Sequence, residues 1–218
     1  MRARVGGVRH LSENVSSAQL RGETLELLSL YWLRPEEELW MDLTSQETIE
    51  ELTHGLKEGF GLDVSASELA EQLPEYSVAH KEYVTHLTTT FGKKAAAPIE
   101  SIYKIWTNDP TCDLPHARET GYLMGDSALH MKELLEQLQL EIPEDHLEMP
   151  DHISVNLNVA GIFAGSGNEE AFHTFVSDHL DWLGDFSEKL KAVSPESFYL
   201  YLSSIIEGIH EREGGSDS

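Results

Sequence analysis

The stretch that most constrains the fold runs from Phe172 to Leu190. Phe172, Phe175, Val176, His179, Leu180, Trp182, Leu183, Phe186 and Leu190 recur at helical spacing and make one wide apolar face. A face of that width has to be buried against other elements. The segment is therefore expected as a single core-facing helix, opened after the break at Gly165-Ser166-Gly167.

The rest of the chain supplies partners of the same period. Ser16 and Ser17 can cap a helix that carries Leu20, Leu27, Leu28 and Tyr31 to about Arg34, with Pro35 as its stop. Thr44-Ser45-Gln46-Glu47 reads as a capping box ahead of Ile49, Leu52 and Leu56, and Gly59 and Gly61 end that segment. A second box, Ser65-Ala66-Ser67-Glu68, opens a short helix with Leu69 and Leu73 before Pro74. Tyr76, His80, Tyr83, Leu87 and Phe91 lie on one stripe that Gly92 stops. Pro98 at a helix start is followed by Ile102, Tyr103 and Trp106. After a turn-rich connection at 107–115, helices are expected from about His116 to Met124 and from Asp126 to about Leu140. Ser194-Pro195 is placed to open a last helix with Phe198, Leu202, Ile205 and Ile209.

One segment reads two ways. Ile153 to Val159 alternates apolar and polar residues, the pattern of a strand. Ile153, Leu157, Ala160 and Ala164 also form a helical stripe, and no other stretch offers a convincing strand partner. Just before it stands Glu148-Met149-Pro150-Asp151-His152. Pro150 forces Met149 into extended backbone, and Asp151 is of a type that caps a helix beginning after it. On the residues alone, a cap at Asp151 with His152 as its neighbour accounts for the pattern.

Composition narrows the function. The chain carries 39 acidic against 15 basic residues, a net charge of -24. Such a surface repels nucleic acid and anionic membrane and draws basic partners, although solubility alone also accounts for it. No apolar run approaches a membrane span, and the basic start lacks the apolar core of a secretory signal. Cys112 is the only cysteine, which rules out an internal disulfide or a thiolate cage and suits the cytoplasm. There is no phosphate loop, no Gly-x-Ser-x-Gly elbow and no His-Glu-x-x-His zinc helix. Glu170-Ala171-Phe172-His173 and Glu207-Gly208-Ile209-His210 fit the Glu-x-x-His repeat of di-iron bundles, a motif of low specificity. A di-iron carboxylate oxidoreductase is thus an alternative.

Glu148-Met149-Pro150-Asp151-His152 resembles the Glu-x-Pro-Asp-His signature of the TorD/DmsD/NarJ-like chaperones, the redox enzyme maturation proteins that serve molybdoenzymes. Pro98, Glu100, Ser101 and Tyr103, preceded by Tyr83, Leu87 and Phe91, are similar to that family's Pro-Tyr-Glu-Ser-x-Tyr region, with Ile99 in place of an aromatic and Thr90 in place of a leucine. Phe175, His179, Leu180, Trp182 and Phe186 resemble a third family pattern, with the tryptophan one place early. The resemblance implies an all-α, single-domain, TorD-like irregular bundle, and it decides for helix over residues 153–164.

It also implies a non-catalytic cytoplasmic chaperone. Such a protein binds the twin-arginine signal peptide or the apo form of a molybdopterin-containing oxidoreductase subunit, assists cofactor insertion and delays export. An assembly factor for a molybdoenzyme that stays in the cytoplasm, as in the nitrate reductase branch, is the alternative within the family. The residues implied at the client site are Glu148, Pro150, Asp151 and His152, with Leu87, Phe91, Pro98, Glu100, Ser101 and Tyr103. Asp151, then Glu148, would meet the client's arginines. Residues 1–15 are expected as a flexible start, 16–212 as the helical domain with a hinge near 141–152, and 213–218 as a disordered tail. No metal, bound cofactor, nucleic acid or membrane insertion is expected, and the chain would be a monomer or homodimer.

Overall fold

The computed structural model describes residues 16–89, 94–141 and 146–214. The expected flexible start, Thr90, Phe91, Gly92, residues 142–145 of the acidic hinge loop and residues 215–218 of the tail lie outside them. Among the described residues the chain forms eleven helices and no strand. The first five are α1 (Ser17–Leu30), α2 (Glu37–Leu43), α3 (Gln46–Phe60), α4 (Ala66–Gln72) and α5 (Tyr76–His86). Then come α6 (Glu100–Tyr103), α7 (Asp126–Gln137) and α8 (Ile153–Ser166). The chain closes with α9 (Glu169–His179), α10 (Leu183–Val193) and α11 (Phe198–Glu213). The all-α expectation holds, and Ile153–Ser166 is a helix.

Local chemistry explains most boundaries. Ser16 and Ser65 accept from the third backbone N–H beyond them, as read from the sequence. The box at 44–47 is shifted by one: Ser45 caps α3 by accepting from the Thr48 N–H. Ser197, not Ser194, caps α11. Gly61 and Gly167 close α3 and α8 in the left-handed region (φ 65° and 72°), where an L side chain is strained. Glu213 is not tail but the last residue of α11, and it lies 3.6 Å from the Arg21 guanidinium.

Three expectations are corrected. The stripe from Phe172 to Leu190 is two helices, because α9 stops at His179. Its last carbonyls are taken by side chains from elsewhere: the His179 C=O accepts from Asn156 Nδ2 (3.2 Å) and Trp182 Nε1 (2.8 Å), and the Asp178 C=O accepts from Lys104 Nζ. Residues 116–124 are turns rather than helix. There Arg118 reaches back to the carbonyls of Thr107 and Asp109, and the His116 ring packs between Trp106 and Tyr122. The helix after Pro98 is a single turn, and Trp106 lies outside it. α2 was not foreseen at all.

The core is built around a close crossing of α1 and α8. A Cβ on Gly22 would stand 2.8 Å from the Gly161 carbonyl oxygen, and one on Gly161 would stand 2.9 Å from the Gly22 oxygen. Both positions need glycine for the helices to approach. Just past the end of α1, Trp32 meets Phe186 and Tyr199 with ring centroids 5.7 and 5.4 Å away, and Tyr31 meets Phe198. Each large side chain buried here contributes about 2–3 kcal/mol, more than any single cap. The aromatic cluster, not the caps, sets the bundle's stability.

Candidate functional site

Two segments separated by about fifty residues meet in a buried joint. Ile99 pairs with His152 in an isolated antiparallel bridge. The Ile153 N–H donates to the Pro98 carbonyl (2.9 Å), and the Glu100 N–H donates to the Asp151 carbonyl (3.1 Å). The Asp151 carboxylate then accepts from the Ser101 N–H at 2.6 Å. Asp151 therefore caps a helix, but not the one that follows it: it satisfies the second N–H of α6. The cap of α8 is His152, whose Nδ1 accepts from the Ser154 N–H (3.3 Å) and lies 2.8 Å from the Ser154 hydroxyl.

These bonds fix protonation states. An Nδ1 that accepts from the backbone carries no proton, so neutral His152 holds its proton on Nε2. Burial, and then His146 beside it, push the His152 pKa well below the ordinary histidine value. Burial pushes the Asp151 pKa up; hydrogen bonds from Ser101 oppose this, and neighbouring Glu100 adds to it.

Glu100 is the junction of four helices. Its carboxylate, wholly buried, accepts from Asn156 Nδ2 of α8 (2.9 Å) and lies 2.9 Å from His179 Nδ1 of α9. Lys104, one turn on, pairs with it at 3.0 Å and with Asp181 at 2.7 Å. Burial works against the Lys104 ammonium, yet Glu100 and Asp181 together hold its pKa above the usual value. His179 Nε2 in turn lies 2.9 Å from His130 Nδ1 on α7, with the two rings stacked. A carboxylate can only accept, so neutral His179 donates from Nδ1 and accepts at Nε2. His130 Nδ1–H is then the donor, and His130 Nε2 is left as an acceptor.

Most expected site residues thus build the joint from inside. Asp151, Glu100, Ser101 and His152 are 0–3% exposed, and Pro98 and Pro150 are buried with them. Leu87 is 2% exposed and belongs to the core. Tyr103 stacks on Trp182 at 5.4 Å and donates its hydroxyl to the Ala97 carbonyl. Glu148 is exposed, and Phe91 lies outside the described residues. Sequence reasoning did not single out Lys104, Asn156 or His130. Only His179 carried a signal, as the polar member of an apolar stripe.

Beside the joint, α7, α8 and α9 enclose an open groove of about 360 Å³. Leu134, Phe163 and Phe175 give it apolar walls; His130, Glu170, Asp178 and His179 line it with titratable groups, beside the neutral Asn168 and Thr174. Among the described residues no group of three or more His, Cys, Asp or Glu is placed to hold a metal ion, so the two Glu-x-x-His repeats do not assemble a di-iron centre. No helix among them is long and apolar enough to cross a membrane.

Comparison with known proteins agrees with the motifs. The family model described as nitrate reductase delta subunit matches residues 46–188, about two thirds of the chain, which takes in the joint and the groove. Chaperone protein TorD of Shewanella loihica is 30% identical over 117 residues, 53% of this chain and 52% of that protein. Chaperone protein TorD of Shewanella pealeana is 28% identical over 115 residues, 52% and 49% of the two chains. The match spans about half the length of these relatives. No solved structure gives a significant match.

Proposed function

This chain belongs to the nitrate reductase delta subunit family, and on that premise we propose that it is a maturation chaperone for a molybdopterin-containing oxidoreductase. It binds the client subunit's twin-arginine signal peptide, its apo body, or both, in the cytoplasm. It holds the subunit until its cofactor is inserted and so delays export. The observation that carries this reading is the joint. The two motifs that resemble the maturation chaperones, remote in sequence, are hydrogen-bonded to one another through Pro98, Glu100, Ser101, Asp151 and Ile153.

A client contact beside this joint is part of the same reading. Glu148 offers it a surface carboxylate, and Pro150, Asp151, His152, Pro98, Glu100, Ser101, Leu87 and Tyr103 shape it from within. A net charge of -24 supports a basic client. The matched family's own description favours a second reading, in which the client is a nitrate reductase-type subunit that is not exported.

Calorimetric titration of the whole chain against two clients tests both. One is a twin-arginine leader peptide of a molybdoenzyme subunit, and the other is that subunit without its leader. Saturable binding of the leader supports the export role. Binding of the leaderless subunit alone moves the function to cytoplasmic assembly, and binding of neither refutes the chaperone reading.

A further inference from the structure

We propose that the α7–α8–α9 groove seats an arginine-bearing amphipathic segment of the client, with Glu170 and Asp178 as its anionic contacts and His130 as a proton-sensitive gate on its cationic part. This rests on the chaperone reading and adds a place and a residue set that the motifs do not contain.

The geometry carries it. Residues 170 and 178 lie eight apart on α9, about 12 Å along one helix face, which spans roughly two turns of a bound helix. Between them the groove presents Phe175, and α8 and α7 present Phe163 and Leu134 across from it. Phe163, half-buried, packs at 5.5 Å on Phe175, which is buried and stacked on His179, so the aromatic part of the floor is chiefly Phe163. An aromatic face flanked by carboxylates suits a guanidinium, which stacks on a ring and donates paired hydrogen bonds from its edge. Both carboxylates are on exposed residues. The Asp178 backbone is already engaged with Lys104, which fixes the helix end but leaves the side chain to the groove.

His130 adds a condition. It is hydrogen-bonded through His179 to Glu100, and its Nε2 accepts when the ring is neutral. Protonation makes that atom a donor and brings a positive charge into the seat of a cation. The charged and titratable groups facing it are His179 and Asp178 of α9, Glu100 of α6 and Glu133 of its own helix, while Asn156 of α8 is neutral. Burial and then His179 lower its pKa, and the three carboxylates only partly offset them. The ring is therefore neutral at pH 7.5 and gains its charge as the solution is acidified below the ordinary histidine range.

The test uses the full chain and two synthetic peptides, an apolar helix preceded by paired arginines and the same helix preceded by paired glutamines. Affinities are measured by calorimetry at pH 7.5 and 5.5. The arginine peptide is expected to bind measurably more weakly at the lower pH, by less than about tenfold, because a histidine whose pKa is lowered is not fully charged at pH 5.5. Glu170→Gln with Asp178→Asn should weaken it about tenfold at pH 7.5 and leave the glutamine peptide unchanged. His130→Gln should abolish the acid loss, so that the ratio of its affinities at pH 7.5 and 5.5 falls to about one. Circular dichroism checks that each variant is folded. If the arginine peptide binds both variants as it binds the parent, with the same pH profile, the client sits elsewhere and the groove proposal fails while the chaperone reading stands. If neither peptide nor the client's own leader binds, both fail.

Discussion

Asp151 offers the sharpest test of how the joint is held. Its carboxylate is fully buried and accepts from the Ser101 N–H at 2.6 Å. Asp151→Ala leaves that N–H without its acceptor, which costs about 1–3 kcal/mol in a dry site, and removes a cap worth about 1 kcal/mol that partly counts the same bond. Against this, the alanine variant no longer buries a carboxylate at neutral pH. A net loss of about 1–2 kcal/mol follows, or roughly 3–7 °C in Tm for a chain of this size. Asp151→Asn keeps an acceptor oxygen and drops the charge, so at pH 7 it should unfold close to the parent and above the alanine variant.

The sign of the pH effect is fixed by the raised pKa of Asp151. A group whose pKa is raised on folding favours the folded state when protonated. That stability is full below the unfolded value of about 3.8 and is lost as pH rises through the folded value. The parent should therefore gain on the asparagine variant as pH falls from 7 toward 4. Urea unfolding of the three proteins at both ends of that range provides the measurement. An asparagine variant as unstable as the alanine one at pH 7 would show that the anion itself holds α6, and the argument from burial would be wrong.

The remaining predictions concern the same framework. Gly22→Ala places a Cβ 2.8 Å from a backbone oxygen that cannot swing aside, and should cost about 1–3 kcal/mol in urea unfolding despite alanine's better helix propensity. Glu100→Ala strips Lys104, Asn156 and His179 of a common partner and should cost about 3–5 kcal/mol; Glu100→Gln, which still accepts from Asn156 and His179, should cost clearly less. The His152 pKa is lowered on folding, so its contribution is full above about pH 6.5 and is lost as pH falls through the folded value. His152→Asn keeps a good cap for α8 and should flatten the fall in urea midpoint between pH 7 and 5.

What the sequence made legible follows from how far each determinant reaches along the chain. Caps and stripes act over three or four residues, so Ser16, Ser65, the stops at Gly61 and Gly167 and the α1, α3 and α4 stripes could be read directly. The break between α9 and α10 could not, because no glycine or proline marks it. The last carbonyls of α9 accept from Asn156 and Lys104, some 23 and 74 residues away, as well as from the nearby Trp182 indole. α2 escaped because it is one short segment whose N-cap, Glu36, makes no side-chain capping bond. The same distance rule explains the site. Asp151 looks like a cap for the helix after it, since sequence shows only the nearest free N–H groups. In the fold the nearer donor is Ser101, fifty residues back, brought there by the bridge between Ile99 and His152. Once Asp151 has turned toward α6, the N–H of Ser154 needs another acceptor, and His152 supplies it. The adjacency of Asp151 and His152 is thus a division of labour between two helices. That accounts for a pair of residues which, taken one at a time, a single cap would have explained.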